Sequence, residues 1–246
     1  QHGEIHLSQP TLSTGYLLLD VSRPPFDDPR VRRAFVLATD RETLSYEIQR
    51  GSSPATGGFL PPGMPGHSPG IGLPYDPDGA RQLLAEAGYP KGSGFPVIDS
   101  LAAGTPLENT YLQEQWRLVL GVEIRWELME LTRFIDLLDR EPPRLCRVMW
   151  VADYPDPDSF LRVCIRRRTR WRNEVYDRLV AAARGAMDQG ERISLYQQAD
   201  RILVEEAPIV PLDYGLNHLL VKPWVRELTT SPMQVRHYKD AILEPH

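Results

Sequence analysis

Residues 150–161 read WVADYPDPDSFL, and this stretch marks the passage from a strand to a helix. The preceding residues 144–151 predict a strand, two prolines and three aspartates predict a turn, and residues 157–164 predict a helix. The same alternation of strands and helices recurs along the chain. The sequence therefore predicts an α/β fold, with a mixed sheet covered by helices.

Further elements can be assigned on both sides of this stretch. Strands are predicted at 16–21, 95–101, 122–129, 209–214 and 216–221. Helices are predicted to begin after Asp28, Asp76 and Asn173, which are favourable N-cap residues. A capping-box pattern at 39–42 predicts another helix, ending near Gly51. Residues 54–74 are rich in proline and glycine and predict a loop.

The composition is that of an ordinary globular chain. It has 246 residues, a formal net charge of −5 and 41% hydrophobic residues. No segment approaches the roughly 18 apolar residues of a membrane-spanning helix. The start at Gln1 shows no signal-peptide pattern and suggests a processed or excised chain. Cys146 and Cys164 lack C-x-x-C spacing, so a single disulfide and two free buried thiols both stay open.

Four segments together carry a resemblance to a known family. They read PPFDDPRVRRAFVLATDRETL at 24–44, PPGMPGH with YDPDGARQLLAEAGYPKGSGFP at 61–67 and 75–96, WVADYPDPDSFL at 150–161, and YQQADRILVEEAPIVPLDYG with LVKPWV between 196 and 225. In order and spacing the chain resembles the extracellular (periplasmic) solute-binding proteins of peptide-type ABC transporters, called solute-binding protein family 5.

This resemblance implies the C-terminal lobe of a two-lobed, type II-like periplasmic-binding-protein fold. Complete family members are about twice as long, and they close over a ligand between two lobes joined by crossing strands. Residues 1–22 would then be a crossing strand, 23–221 the ligand-binding lobe, and 222–246 a tail that packs on the missing N-terminal lobe.

The acidic turn offers three carboxylates, and they are not equivalent. Asp156 and Asp158 are expected to cap the following helix, where they oppose the positive end of its dipole. Asp153 lies at the carboxyl end of the strand, where α/β sheets present ligand groups. The resemblance implies that Asp153 pairs with the α-ammonium group of a peptide, a charge-assisted hydrogen bond. Trp150 and Tyr154 would supply flat apolar walls.

A second candidate segment is Gly104-Thr105-Pro106, at a strand-to-helix junction. The resemblance implies that Thr105 lines the ligand pocket. Dipeptide-binding relatives present an arginine there for the peptide carboxylate, and this chain has none. A dipeptide is therefore less favoured than a longer peptide or a different solute.

The run of residues 165–172 contains five arginines and one tryptophan. Such a run is typical of a solvated loop. Functionally it could instead contact an anion, a lipid headgroup or nucleic acid, and an acidic ligand is the favoured functional alternative. Relatives carry a longer, Gly- and Asn-rich loop here. We expect no nucleic-acid partner, because the net charge of −5 gives no field strong enough to imply one.

Catalysis and cofactors are not expected. Neither G-x-S-x-G nor H-E-x-x-H occurs, and no nearby base is implied for the acidic turn. The turn lacks the glycine and spacing of an EF-hand loop. The six histidines show no metal-ligand spacing. We therefore predict no catalytic residues, no metal site and no cofactor.

The expected function is the solute-binding component of an ABC importer, which captures a peptide or similar solute between two lobes. The expected partners are the solute, the transporter's membrane subunits and the missing N-terminal lobe, with a periplasmic or extracellular, membrane-associated location. The alternative is a ligand-sensing domain fused to a cytoplasmic transcriptional regulator. The solute and the oligomeric state stay open.

Overall fold

The structure, a computed structural model, describes residues 5–104 and 106–245. Five strands form its central sheet: β1 (Ile5–Leu19), β2 (Ile98–Ala102), β3 (Ile124–Leu128), β4 (Leu145–Val151) and β5 (Ile209–Val221). Their order in space is β3-β2-β4-β1-β5. β2 runs parallel to β3 and β4, whereas β1 runs antiparallel to β4 and β5. The predicted α/β class with a mixed sheet is confirmed.

Helices cover both faces of this sheet. They are α1 (Pro29–Leu37), α2 (Arg41–Thr43), α3 (Pro77–Glu86), α4 (Pro106–Leu120), α5 (Leu131–Arg140), α6 (Ile165–Arg168), α7 (Glu174–Gly185) and α8 (Gln189–Glu206). Two π-helical turns adjoin these helices: Leu44–Ile48 follows α2, and Ser159–Cys164 precedes α6.

The alternation of side chains along β1 divides the core into two layers. Tyr16 and Leu18 belong to the layer under α5, α7 and α8, together with Tyr196. Leu17 and Leu19 belong to the layer under α1, α3 and α4, together with Trp116. Since successive strand residues face opposite sides of a sheet, one apolar run supplies both layers.

The predicted strand 16–21 is longer than expected and begins earlier. Residues 5–10 of β1 pair with residues 216–221 of β5, beyond Ser13, which is opposite the last residue of β4. The paired segments form a two-stranded ribbon that extends past the end of β4. The two predicted strands at 209–221 are one strand for the same reason. The polar residues within 5–10 weaken the hydrophobic pattern by which a strand is recognised in a sequence. This part of β1 is a strand because its backbone pairs with β5.

The predicted N-caps of three helices are confirmed. The side chains of Asp28, Asp76 and Asn173 accept hydrogen bonds from backbone N–H groups of the first turn at 2.8–3.0 Å. The predicted capping box at 39–42 was wrong in its register. Asp40 is the cap and accepts from Thr43 N at 3.0 Å, whereas Thr39 Oγ1 donates to Phe35 O at 2.7 Å.

The segment after residue 221 forms two small strand pairs. β6 (Val225–Arg226) pairs with β9 (Ile242–Leu243), and β7 (Thr229–Thr230) pairs with β8 (Arg236–His237). Pro232 O accepts a hydrogen bond from Leu12 N at 2.7 Å, which ties this segment to β1. None of the described helices is long and apolar enough to span a membrane.

Candidate functional site

The three parallel strands of the sheet end at one edge, which we call the carboxyl edge. β2, β3 and β4 finish there at Ala102, Leu128 and Val151. Met129 N donates to Ala102 O at 3.0 Å, so the loops that follow β2 and β3 lie side by side. The ribbon of β1 and β5 projects past the same edge. The acidic turn therefore lies where loops and ribbon converge.

Asp153 is held in place through its backbone. Its N–H donates to Ser159 Oγ at 2.9 Å, and Trp150 Nε1 donates to the same oxygen at 3.4 Å. Ala152 N also donates to Leu12 O at 2.8 Å. The Asp153 side chain is exposed, and within residues 5–104 and 106–245 it makes no hydrogen bond or ion pair. The turn thus presents a carboxylate whose acceptor sites point to solvent or to a ligand.

Asp156 behaves as the predicted cap. Its Oδ1 accepts from Asp158 N at 2.9 Å, and Arg192 donates to both of its carboxylate oxygens at 2.8 Å. The ion pair joins the acidic turn to the first turns of α8. Asp156 therefore fixes the turn against a helix as well as capping the one that follows.

The prediction that Asp158 is a cap was wrong. Asp158 is 7% exposed and makes no capping hydrogen bond. Its carboxylate accepts from Tyr154 OH at 2.7 Å, Tyr196 OH at 3.0 Å and Arg162 Nε at 2.8 Å, with a second contact from Arg162 Nη2. The π-helical turn that begins at Ser159 brings Arg162 back over Asp158, and this tertiary geometry was not visible in the spacing.

These contacts set the charge of Asp158. Burial alone would raise the pKa of its carboxyl, but the hydrogen bonds from Arg162, Tyr154 and Tyr196 stabilise the anion and hold the pKa below the ordinary value. Burial, together with the bond to Asp158, raises the pKa of Tyr154 to about 12. The network is therefore ionic and fully formed at neutral pH.

The two aromatic candidates occupy different environments. Tyr154 is 36% exposed, so its ring is accessible beside Asp153, while its hydroxyl is bonded to Asp158. Trp150 is 7% exposed and packs within the core layer of α7 and α8. The structure thus brings Asp153 and Tyr154 together at the surface and places Trp150 beneath them. Thr105 lies outside the described residues.

A cavity of about 330 Å³ opens between β4 and α5. β2 pairs with β4 only at Leu101 and Cys146, so the strands separate beyond that point and leave the gap. Its lining is largely apolar, with two arginine side chains: Gly15, Ala103, Leu131, Phe134, Ile135, Leu138, Arg147, Val148, Met149 and Arg168.

Arg147 is a residue of this region that the sequence reasoning missed. Its Nη2 lies 3.2 Å from Asp213 Oδ2, and Gln49 Nε2 donates to the same oxygen at 3.1 Å. A Cβ on Gly15, between the two strands, would lie 2.6 Å from Asp213 Oδ1. The glycine therefore makes room for a buried ion pair that crosses β1. An arginine inside an apolar strand was the only available signal.

The arginine run proves to be partly helical, so its description as a loop was wrong. The π-helical turn Ser159–Cys164 continues into α6, and the remaining residues lead to Asn173. Of the run's arginines, Arg168 reaches the cavity beside α5, whereas Arg170 lies near Asp20, beyond the other end of β4. Contact between this run and an anionic ligand stays a prediction.

No group of three or more metal-ligating side chains occurs within the described residues. His6 and His218 stack on the ribbon, with 3.1 Å between His6 Nε2 and His218 Nδ1, while His2 and His246 lie outside the described residues. Cys146 and Cys164 are both free and buried, and burial raises the pKa of each thiol to about 12.

Comparison with known proteins gives one family. The model of bacterial extracellular solute-binding proteins, family 5 Middle, matches residues 1–166. The chain is 30% identical to the periplasmic oligopeptide-binding protein OppA of Escherichia coli (strain K12), over 99% of the chain and 47% of that protein. It is 29% identical to the probable deoxycholate-binding periplasmic protein YgiS of the same organism, over 99% of the chain and 48% of that protein.

A solved structure shows the same relation. The dipeptide binding protein of Pseudoalteromonas sp. SM9913, in complex with Met-Leu, superposes with a TM-score of 0.86 at 25% identity, covering 98% of this chain and 50% of that one. The chain thus spans about half the length of the relatives it matches. These relatives are described as binding proteins, not as enzymes or transcriptional regulators.

Proposed function

Because the chain belongs to the bacterial extracellular solute-binding proteins of family 5, we propose that it forms one lobe of a solute-binding component of an ABC importer. The proposed solute is a peptide, captured at the carboxyl edge between this lobe and an N-terminal lobe. No bond is made or broken in this function. The complete protein would act outside the cytoplasmic membrane and deliver its ligand to the transporter's membrane subunits.

The observation that carries the proposal is the state of Asp153. Its backbone is fixed by Ser159, its side chain is exposed, and no described residue occupies its carboxylate. A fixed carboxylate beside the accessible ring of Tyr154 suits an ammonium group, which donates three hydrogen bonds and stacks favourably against an aromatic ring. Asp158, five residues later, is already saturated by its neighbours and has no comparable role.

The ribbon supports the proposed arrangement of domains. Residues 5–10 and 216–221 leave the sheet together at the carboxyl edge, so another lobe connected through them would lie over Asp153. Residues 1–22 would then contain one crossing strand, 23–221 the lobe, and 222–246 a tail against the other lobe. Ligand that touches both lobes would favour the closed state by its differential affinity for that state.

The test uses the complete protein that contains this chain and two matched peptides, one with a free and one with an acetylated N-terminus. Calorimetry should show tighter binding of the free peptide. Asp153→Ala should weaken that binding by about 10- to 100-fold, as expected for a lost hydrogen bond to a charged group, and should abolish the preference for the free N-terminus.

The control is Asp78→Ala, which removes an exposed carboxylate from α3. It should bind both peptides like the unchanged protein. Equal affinity of Asp153→Ala and the unchanged protein for the free peptide would show that Asp153 is not the ammonium-binding residue. If no peptide binds and an apolar acid such as deoxycholate does, the proposed solute class is wrong.

A further inference from the structure

A basic surface begins at α6, where the arginines outnumber their acidic partners. Arg167 and Arg168 both reach Asp139 at the end of α5, at 3.7 Å and 2.5 Å. Arg168 is largely buried, with 13% of its side chain exposed, whereas 56% of the Arg167 side chain is exposed. The closer pair neutralises Asp139, so Arg167 remains an accessible positive charge.

The same imbalance occurs around Asp20, which follows β1. Arg23 Nε lies 2.5 Å and Arg170 Nη1 3.9 Å from Asp20 Oδ2, and Arg170 also donates to Ser22 Oγ at 3.3 Å. Arg23 Nη2 donates to Pro142 O at 2.9 Å, just beyond α5. The loop after β1, the end of α5 and the segment after α6 are therefore neighbours.

We call Arg23, Arg166, Arg167 and Arg170 the arginine surface. Arg166 is exposed, and within the described part of the chain no carboxylate lies at ion-pair distance from it. With Arg168 included, five arginines share two carboxylates as ion-pair partners, Asp20 and Asp139. Arg144 and the exposed carboxylates Asp99 and Glu141 line a pocket together with Arg23. Counting these, the region has a local excess of two positive charges in a chain whose net charge is −5.

The arginine surface lies at the opposite edge of the sheet from Asp153. Leu19 is opposite Leu145, the first residue of β4, and Asp20 N donates to Arg144 O at 2.9 Å. Asp153 follows the other end of β4, and the seven residues of that strand correspond to roughly 20 Å of extended chain. The ribbon leaves at the Asp153 edge, so a lobe attached through it does not cover the arginine surface.

We propose that the arginine surface binds the phosphate headgroups of an anionic lipid bilayer. Exposed guanidinium groups form paired hydrogen bonds with phosphate oxygens, and clustered basic residues are attracted to anionic bilayers without a fitted pocket. Because this surface lies opposite Asp153, the bound protein keeps its carboxyl edge free. None of the four arginines of this surface belongs to the proposed solute site.

A lipid surface suits the composition of this region better than a protein partner does. Protein interfaces are organised around buried aromatic or apolar side chains. Among the described residues, no exposed large hydrophobic side chain belongs to segments 20–23, 139–144 or 165–172. Trp171, the one aromatic residue of the run, is 6% exposed and packs on Tyr176.

The test measures sedimentation of the protein with vesicles at low salt. One set of vesicles contains phosphatidylcholine alone and is neutral. The other contains phosphatidylcholine with about 30% phosphatidylglycerol, which gives the bilayer a negative surface charge. The variant Arg166→Gln/Arg167→Gln/Arg170→Gln removes three exposed charges, of which Arg167 and Arg170 make only long ion pairs and Arg166 makes none within the described residues. The control Arg81→Gln/Arg117→Gln/Arg125→Gln removes three equally exposed arginines elsewhere.

The unchanged protein and the control should bind the anionic vesicles and not the neutral ones. The arginine-surface variant should lose about 100-fold in affinity, from roughly fivefold per arginine. Competition by millimolar inorganic phosphate should be weak, because a single free anion lacks the dense array of negative charges on the bilayer surface. Equal loss in both variants, no vesicle binding by the unchanged protein, or complete displacement by millimolar phosphate would each overturn the proposal.

Discussion

Asp158 and Asp200 are two buried carboxylates in the same core layer, and they differ in their partners. Asp158 is 7% exposed and receives hydrogen bonds from two tyrosines and an arginine. Asp200, on α8, is fully buried, and no described side chain donates a hydrogen bond to it. Hydrogen bonds lower the pKa of Asp158 despite its burial, whereas burial raises the pKa of Asp200 to about 7.

The difference shows that partners, more than burial, decide the charge of a carboxylate in this fold. The satisfied anion at Asp158 holds the acidic turn against α8 through Tyr196. At Asp200 the backbone N–H groups of Leu60 and Phe59 lower the pKa less than burial raises it, so the group is stable mainly as the neutral acid. Three changes test this contrast.

Asp158→Ala should have the largest effect on stability. It removes the acceptor of Tyr154, Tyr196 and Arg162, and we expect the free energy of unfolding at pH 7 to fall by about 3 kcal/mol. This value is at the lower end of the range for a broken buried ion pair, because Arg162 is partly exposed. Urea denaturation measures the free energy of unfolding. Asp156→Ala, which breaks a more exposed pair with Arg192, should cost less; an equal or larger cost there would contradict the central role of Asp158.

Asp200→Asn should change the pH dependence. The pKa of Asp200, about 7, lies above its unfolded value near 4, so the folded state retains the proton and this contribution is lost as the pH rises from about 4 to 7. Relative to the unchanged protein, the variant should therefore gain ~3 kcal/mol in free energy of unfolding between pH 4 and pH 8.

Urea midpoints at several pH values give this difference directly. A constant difference between the two proteins from pH 4 to pH 8 would show that Asp200 does not titrate in this window. Asp188→Asn, at an exposed helix cap, is the control, and the same pH-dependent gain in that variant would show that the effect is not specific to Asp200.

Tyr196→Phe should have the smallest effect of the three. It removes one donor from Asp158, which costs about 1 kcal/mol, and it moves Asp158 towards the condition of Asp200. The low pKa of Asp158 stabilises the fold above about pH 4, and this contribution is lost as the pH falls through the folded pKa. With that pKa raised, acid unfolding should begin at higher pH. Tyr154→Phe removes a more exposed donor and should shift acid unfolding less; the reverse order would refute the assignment.

The sequence predicted most elements of the fold correctly where local signals were strong. Proline after aspartate marked the starts of α1 and α3, and apolar runs marked β4, the end of β1 and nearly all of β5. The first strand of the ribbon was missed because half of residues 5–10 are polar and because the segment is held by pairing with residues 216–221, more than 200 positions away. Such pairing leaves no local pattern.

The candidate site divides in the same way. The sequence and its family resemblance singled out Asp153, and the structure places that carboxylate exposed at the carboxyl edge. Asp158 was misassigned because its partners come from a π-helical turn and from α8. Arg147 was missed because its role depends on Asp213, on another strand.

By itself, the sequence determined the α/β class, the starts of α1, α3 and α7, the family and the segment that carries the acidic turn, because these depend on residues close together in the chain. Only the tertiary structure decided which aspartate of the turn is exposed, which is saturated, and where the surplus arginines lie. Those properties depend on which segments lie close together in the folded chain, because hydrogen bonds and ion pairs form between atoms that are near in space and not necessarily near in sequence.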